Sequence, residues 1–288
     1  MAVVIAATDA WAERRRRVAD LRVRQGFARQ LLDFYGALLA VQETAFVEAR
    51  AAAPPPDALV SYVTEVVFPS VVDVSRAVGP DRLRSDVIKR MQPMDAREIV
   101  SRWMEGAEQS AVDRFLARAS LGPVLEALGV GAKGACAGLR GGRHCPDCGG
   151  LPQLSFFVRS PDDLATGPRY LLCARCGTRW GYARMACAGC GEDSSARLSI
   201  FSEHGTSSGE RGNVVRGLER GITPVTHEAV FPHIRIEACD SCRRYVMSID
   251  LASDAKAVPV VDEIAAVPLD LFARERGYTK IITNLMGF

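Results

Sequence analysis

The sequence predicts an α+β chain: an N-terminal all-α helical domain, two small rubredoxin-like or zinc-ribbon-like β modules that bind metal, and a C-terminal helix. Two observations lead there. Eight of the nine cysteines fall between Cys145 and Cys242 as four Cys-x-x-Cys pairs. By contrast, the stretch from Trp11 to about Val130 has no cysteine and repeats its apolar residues at helical spacing. The boundaries that follow are 1–130 for the helical domain, 131–143 for a linker, 144–186 for the first tetracysteine ribbon, and 187–288 for the second ribbon with the terminal helix.

In the helical half, Leu31, Phe34, Tyr35, Leu38, Val41 and Ala45 make one stripe. Leu59, Val63, Val66 and Val67 begin a second that should stop at Pro69, and Leu83, Val87 and Met91 form a third. Asp95 with Glu98 resembles a capping box, opening a helix whose buried face would carry Ile99, Trp103, Ala107, Ala111 and Phe115. Pro54-Pro55-Pro56 and Gly79-Pro80 read as breaks, and Gly122-Pro123 as the lead into a short helix with Val124, Leu125 and Leu128. The run Arg14 to Arg17 reads as a solvated helix face rather than a nucleic-acid patch.

Glycine recurs through 131–142 and marks the linker, in which Cys136 stands unpaired and is expected to be an unreactive thiol. Beyond it the apolar period changes to two. The candidate strands are Leu154 to Val158, Tyr170 to Leu172, Trp180 to Arg184, Leu198 to Phe201, Ile234 to Ile236 and Tyr245 to Ile249. The glycine-rich stretch from Gly205 to Gly221 lacks the Gly-Lys-Ser/Thr ending of a phosphate loop and reads as a surface loop. In the tail, Ile264, Val267 and Leu271 share a helical face, Pro268 either kinks that helix or begins it, and Gly277 sits at the C′ position.

The cysteine pairs carry the chemistry. They are Cys145/Cys148, Cys173/Cys176, Cys187/Cys190 and Cys239/Cys242. A two-residue gap lets both thiolates of a pair face one ion, and two pairs complete a tetrahedral site. Glycine follows the second cysteine in three pairs, at Gly149, Gly177 and Gly191, where a knuckle turns through positive φ. In chain order, Cys145, Cys148, Cys173 and Cys176 would hold one ion and Cys187, Cys190, Cys239 and Cys242 another, with an interleaved pairing as the alternative. Such sites usually hold a closed, inert ion that stabilises a small fold. The spacing alone favours zinc over iron, although S₄ geometry suits both. Without a secretory context, disulfides are disfavoured.

Composition bounds the partners. With 288 residues, 48% hydrophobic and 24% charged, the chain is long enough for two cores and has ordinary globular composition. A formal charge of +2 supplies no global field for nucleic acid or an anionic membrane. Met1 to Ala7 is too short for a signal-peptide core, and apolar runs such as Ala37 to Val41 fall short of the roughly 18 residues that span a bilayer. A cytoplasmic protein without membrane insertion is expected. No catalytic constellation is evident: His144, His204, His227 and His233 lie in no acid/base motif, and His144 is at most a hydrogen-bond partner to a sulfur. Trp180 and Tyr182 are better suited to covering a metal-centred core than to stacking a base.

With these residues in hand, the chain resembles the formate dehydrogenase accessory protein family, FdhE. The resemblance rests on His-Cys-Pro-Asp-Cys-Gly-Gly-Leu-Pro at 144–152 and on Arg169 to Trp180 running directly into Met185 to Cys190. It extends to Glu237 to Cys242 followed by Tyr245, to the closing stretch from Asp262 to Tyr278, and to Asn284. It implies a non-catalytic cytoplasmic accessory protein that binds the catalytic subunit of respiratory formate dehydrogenase, a molybdenum enzyme exported by the twin-arginine route. It also implies rubredoxin-like iron at all eight paired cysteines, with zinc as the alternative occupant. A redox role on the client's centres, or a zinc-ribbon nucleic-acid binder, would be the competing functions. Pro268 and the loop from Gly205 to Gly221 depart from the family pattern.

Overall fold

The structure is a computed structural model that describes residues 7–90, 95–160, 167–203 and 229–288. Met91 and the stretch from Gly205 to Gly221 lie outside the described residues, as do His204 and His227.

The helical layer comprises α1 (Ala7–Arg24), α2 (Arg29–Ala52), α3 (Leu59–Tyr62), α4 (Phe68–Val78), α5 (Asp81–Arg90), α6 (Ala96–Glu105), α7 (Ala111–Leu128) and the short α8 (Val130–Lys133). At its centre is α2, because apolar residues cover two of its faces. Phe34, Leu38 and Ala45 enter one hydrophobic cluster with α4, α6 and α7, while Leu32, Tyr35, Leu39 and Phe46 enter a second cluster that reaches the sheet.

Neither Pro69, expected to end a helix, nor Pro123, expected to lead into a new one, breaks the helical path. Between α3 and α4, Val63–Val67 forms a π turn, so the helical path continues past Pro69, which sits in the first turn of α4. Pro123 lies inside α7, which runs unbroken from Ala111 to Leu128. A proline at that position leaves the carbonyl four residues back without its helical donor. Buried Gln42 of α2 supplies the replacement, donating from Nε2 to the Ala119 carbonyl at 3.0 Å.

The opposite correction applies after Asp95, whose side chain accepts from the Glu98 N–H as a cap should. The helix ends at Glu105 with Gly106 at φ 77°, and Ser110 caps a new one, so Ala111 and Phe115 belong to α7 rather than α6. Arg17 also departs from the expected solvated face. It is buried, because positions 14 and 17 lie on the side of α1 that packs inward.

The continuous run 56–78 is long and apolar enough, by length and composition, to cross a membrane, a test that core helices also pass. Its Leu59, Val63, Val67, Phe68, Val71 and Val72 are buried in the helical core.

The β half comprises β1 (Pro152–Phe157), β2 (Arg169–Cys173), β3 (Arg179–Gly181), β4 (Leu198–Ser202), β5 (Ile234–Cys239), β6 (Arg244–Asp250) and β7 (Thr279–Lys280), with α9 (Pro259–Ala265) and α10 (Val267–Glu275) before β7. The six predicted strands are all present. They form a single sheet in the order β3-β2-β1-β6-β5-β4, with β7 also on β6, rather than two separate ribbons. Each half repeats one unit: a cysteine knuckle, two antiparallel strands, a second knuckle and a third strand. Parallel pairing of β1 with β6, from Leu154 opposite Met247 to Phe157 opposite Asp250, fuses the repeats.

Pro268 begins α10 in its first turn, without kinking a longer helix. That helix closes as a Schellman motif: Gly277, at φ 76°, donates to the Arg274 carbonyl and Tyr278 donates to that of Ala273. The glycine-rich segment after α8 is largely exposed but is pinned at Gly138. A Cβ on Gly138 would sit 2.8 Å from the Gly149 carbonyl oxygen, so both backbones need glycine to approach this closely.

Candidate metal centres

Each knuckle is built by the same backbone bonds. The first cysteine N–H donates to the carbonyl five residues on, Cys145 to Gly150, Cys173 to Thr178 and Cys187 to Glu192, at 2.8–2.9 Å. The carbonyl of that cysteine accepts from Gly149, Gly177 or Gly191, and these three glycines have φ of 72°, 69° and 87°. The fourth knuckle has no glycine, and Arg243 takes the left-handed conformation instead, at φ 54°. The Arg243 side chain compensates: it lies 4.0 Å over the Tyr278 ring, bonds Asp240 at 3.0 Å and donates to the Arg276 carbonyl at 2.7 Å.

The strands bring the knuckles together in chain order, not interleaved. Cys145, Cys148, Cys173 and Cys176 converge as one group, and Cys187, Cys190, Cys239 and Cys242 as the other. The sulfur–sulfur distances across each group are 3.6 Å (Cys145–Cys176), 3.4 Å (Cys148–Cys173), 3.7 Å (Cys187–Cys242) and 3.7 Å (Cys190–Cys239). A tetrahedron with metal–sulfur bonds of about 2.3 Å has edges of about 3.8 Å, so both groups fit a tetrathiolate ion closely. Backbone N–H groups already point at sulfur: Gly150 at Cys148 (3.4 Å), Arg175 at Cys173 (3.3 Å) and Gly189 at Cys187 (3.3 Å).

Electrostatics favours the same reading. Hydrogen bonding with Cys148, Cys173 and Cys176 holds Cys145 well below the ordinary thiol range, while burial pushes Cys173 well above it. In the second group, burial raises Cys187 and Cys242. Four sulfurs this close cannot all ionise unaided; a divalent cation at the centre removes the conflict.

The first group is enclosed. Arg175 donates to the carbonyls of Ala137 (2.9 Å) and Cys148 (2.8 Å), and Thr178 bonds Asp147 (2.7 Å), which also faces Lys133. Trp180 is buried against this core and donates to the Gly142 carbonyl, while Tyr182 reaches the Cys187 carbonyl at 3.0 Å. Both aromatics therefore pack around the cysteine groups. His144 has no bond to a sulfur among the described contacts, and burial beside Arg143 lowers its pKa. Cys136 is buried near the first group, and its thiol is raised by that burial.

Sequence reasoning missed two charged networks that brace these modules. Arg17 of α1 pairs with Asp262 and with Asp254 (2.8 Å), and Asp262 also bonds His233 (2.9 Å). His233, Asp254 and Asp262 are close enough to hold an ion, but the guanidinium already occupies both carboxylates. In the other network, buried Lys280 pairs with Glu263 (2.7 Å) and Asp270 (2.9 Å), while Tyr245 donates to Asp270 (2.7 Å). Gln153 links Glu263 to Arg118, whose pKa burial lowers to about 10. No sequence motif marks either network, because each unites residues more than a hundred positions apart.

Parts of the chain are similar to known proteins. The family profile "FdhE, central domain" matches residues 144–184, and "FdhE, C-terminal domain" matches residues 220–286. The protein FdhE homolog of Aquifex aeolicus is 35% identical over 147 residues, covering 50% of this chain and 42% of the relative. The homolog of Pseudomonas aeruginosa is 30% identical over 142 residues, covering 49% and 38%. The matched segment thus spans about two-fifths of each of these curated relatives. A crystal structure of the FdhE protein from Pseudomonas aeruginosa matches with a TM-score of 0.59 at 21% identity, over 97% of this chain and 96% of that one, a likeness of fold. The central and C-terminal segments of the chain are thus similar to the corresponding domains of FdhE proteins.

Proposed function

We propose that this chain is a non-catalytic accessory protein of formate dehydrogenase, acting in the cytoplasm on the immature catalytic subunit. Two tetrathiolate ions, with Cys145, Cys148, Cys173 and Cys176 around one and Cys187, Cys190, Cys239 and Cys242 around the other, hold its sheet in the shape that the client recognises. The carrying observation is the convergence of all eight paired cysteines into two Cys₄ groups within one sheet, in a chain similar to FdhE proteins. Iron is the preferred occupant, from the family resemblance, with zinc as the alternative.

The test is complementation of a bacterium that lacks this gene. The wild-type chain should restore formate dehydrogenase activity and co-purify with the catalytic subunit, whereas Cys145→Ser/Cys148→Ser should do neither. Full activity without the gene would contradict the proposal. A second reading, rubredoxin-like electron transfer to the client's centres, is favoured by the partial exposure of Cys190 and Cys242. It requires iron and a reversible change in the visible spectrum on reduction.

A further inference from the structure

The two Cys₄ groups have nearly the same internal geometry but different surroundings. Around the first, Cys145 and Cys148 are 0% exposed, Cys176 1% and Cys173 3%, and all four belong to the hydrophobic cluster shared with α4, α6 and α7. No side of that group faces solvent, and the Arg175 and Asp147–Thr178 contacts close its polar edges.

The second group sits at the rim of the sheet. Cys190 and Cys242 are only half-buried, and its two knuckles are tied over the surface by one exposed bond from Ser241 to Glu192 at 2.6 Å. Its inner side is buried, with Cys187 8% and Cys239 1% exposed, but a cavity approaches it. Cys187 and Cys239 line a cavity of about 190 Å³ between the two repeats. That cavity is also bordered by Arg184, Arg235 and Arg244 and by Met185 and Ile200, each of which is 56% exposed. Of the charged residues there, Glu237 answers Arg235 at 2.8 Å and also pairs with Arg169.

Ligand exchange at a tetrathiolate ion needs an incoming donor to reach the metal or a sulfur, and the shell around a site controls that approach. A site encased in core exchanges only when the surrounding structure opens. We infer that the second Cys₄ group is an exchange site for a thiophilic divalent ion, open to an anionic, metal-binding donor, while the first is a permanent structural site. The cationic rim favours donors of negative charge, and the exposed Met185 and Ile200 give such a donor an apolar foothold. On release, the ion passes to the donor and the vacated thiolates take protons from water.

This inference rests on the reading of both groups as metal sites, and the experiment separates the two. The full chain, loaded with zinc, is mixed with excess 4-(2-pyridylazo)resorcinol, an anionic chelator that changes colour on binding zinc. One equivalent per chain should leave rapidly. The other should leave roughly a hundredfold more slowly and follow global unfolding in guanidinium. Alkylation by iodoacetate after the fast phase should mark Cys187, Cys190, Cys239 and Cys242 and spare Cys145, Cys148, Cys173 and Cys176. In Cys190→Ser/Cys242→Ser the fast equivalent should be missing and the slow one retained. Release of both equivalents in one phase, or alkylation of the first group in the folded chain, would overturn the inference; a chain that binds neither zinc nor iron would instead overturn the metal reading itself.

Discussion

Gln42 and Pro123 show how one side chain lets a sequence rule be broken. A proline in a helix interior normally costs about 3 kcal/mol or more. Here the freed Ala119 carbonyl is answered from the neighbouring helix. Replacing Gln42 with leucine strands that buried acceptor and should cost about 1–3 kcal/mol of stability. The double variant Gln42→Leu/Pro123→Ala should recover most of the loss, because alanine restores the helical N–H. Denaturant melts of both variants check this, and additive losses would exclude the link. Nothing local to Pro123 foretold this, because the compensating Gln42 lies 77 positions from the Ala119 carbonyl that it answers. It did better at the knuckles, where three of the four turns announce themselves by glycine and only Arg243 is hidden.

Among the elements, β7 is the shortest and carries a large share of the charge balance. Its two residues have no alternating pattern to betray a strand, yet they place Lys280 between Glu263 of α9 and Asp270 of α10. Burial raises the pKa of Glu263, and the Lys280 ammonium opposes that rise. Replacing Lys280 with methionine leaves two carboxylates buried without their cation, at a cost of about 3–5 kcal/mol. Thermal or chemical unfolding should show that loss, whereas a surface substitution such as Arg16→Met should change stability little. The six longer strands were legible as short apolar segments flanking the knuckles. Their union into one sheet was not, since the parallel pairing of β1 with β6 links segments that no local pattern connects.

For the whole molecule, the helical layer and the cysteine-bearing sheet share their apolar core. The first Cys₄ group lies in the same cluster as Phe34, Val71 and Leu125, and the second face of α2 packs against the sheet. Loss of the first ion should therefore loosen the helical layer as well as its own ribbon. The two Cys₄ groups themselves were readable from spacing, and so was their chain-order pairing as the first alternative. What spacing could not convey was the different depth of the two groups, which depends on where α6, α7 and α8 pack. Whether both groups hold metal is tested most directly by elemental analysis of the full chain purified without oxygen. Two ions of iron or zinc per chain, lost together with the Cys₄ groups in serine variants, is the predicted result. A folded chain with no bound metal would contradict it.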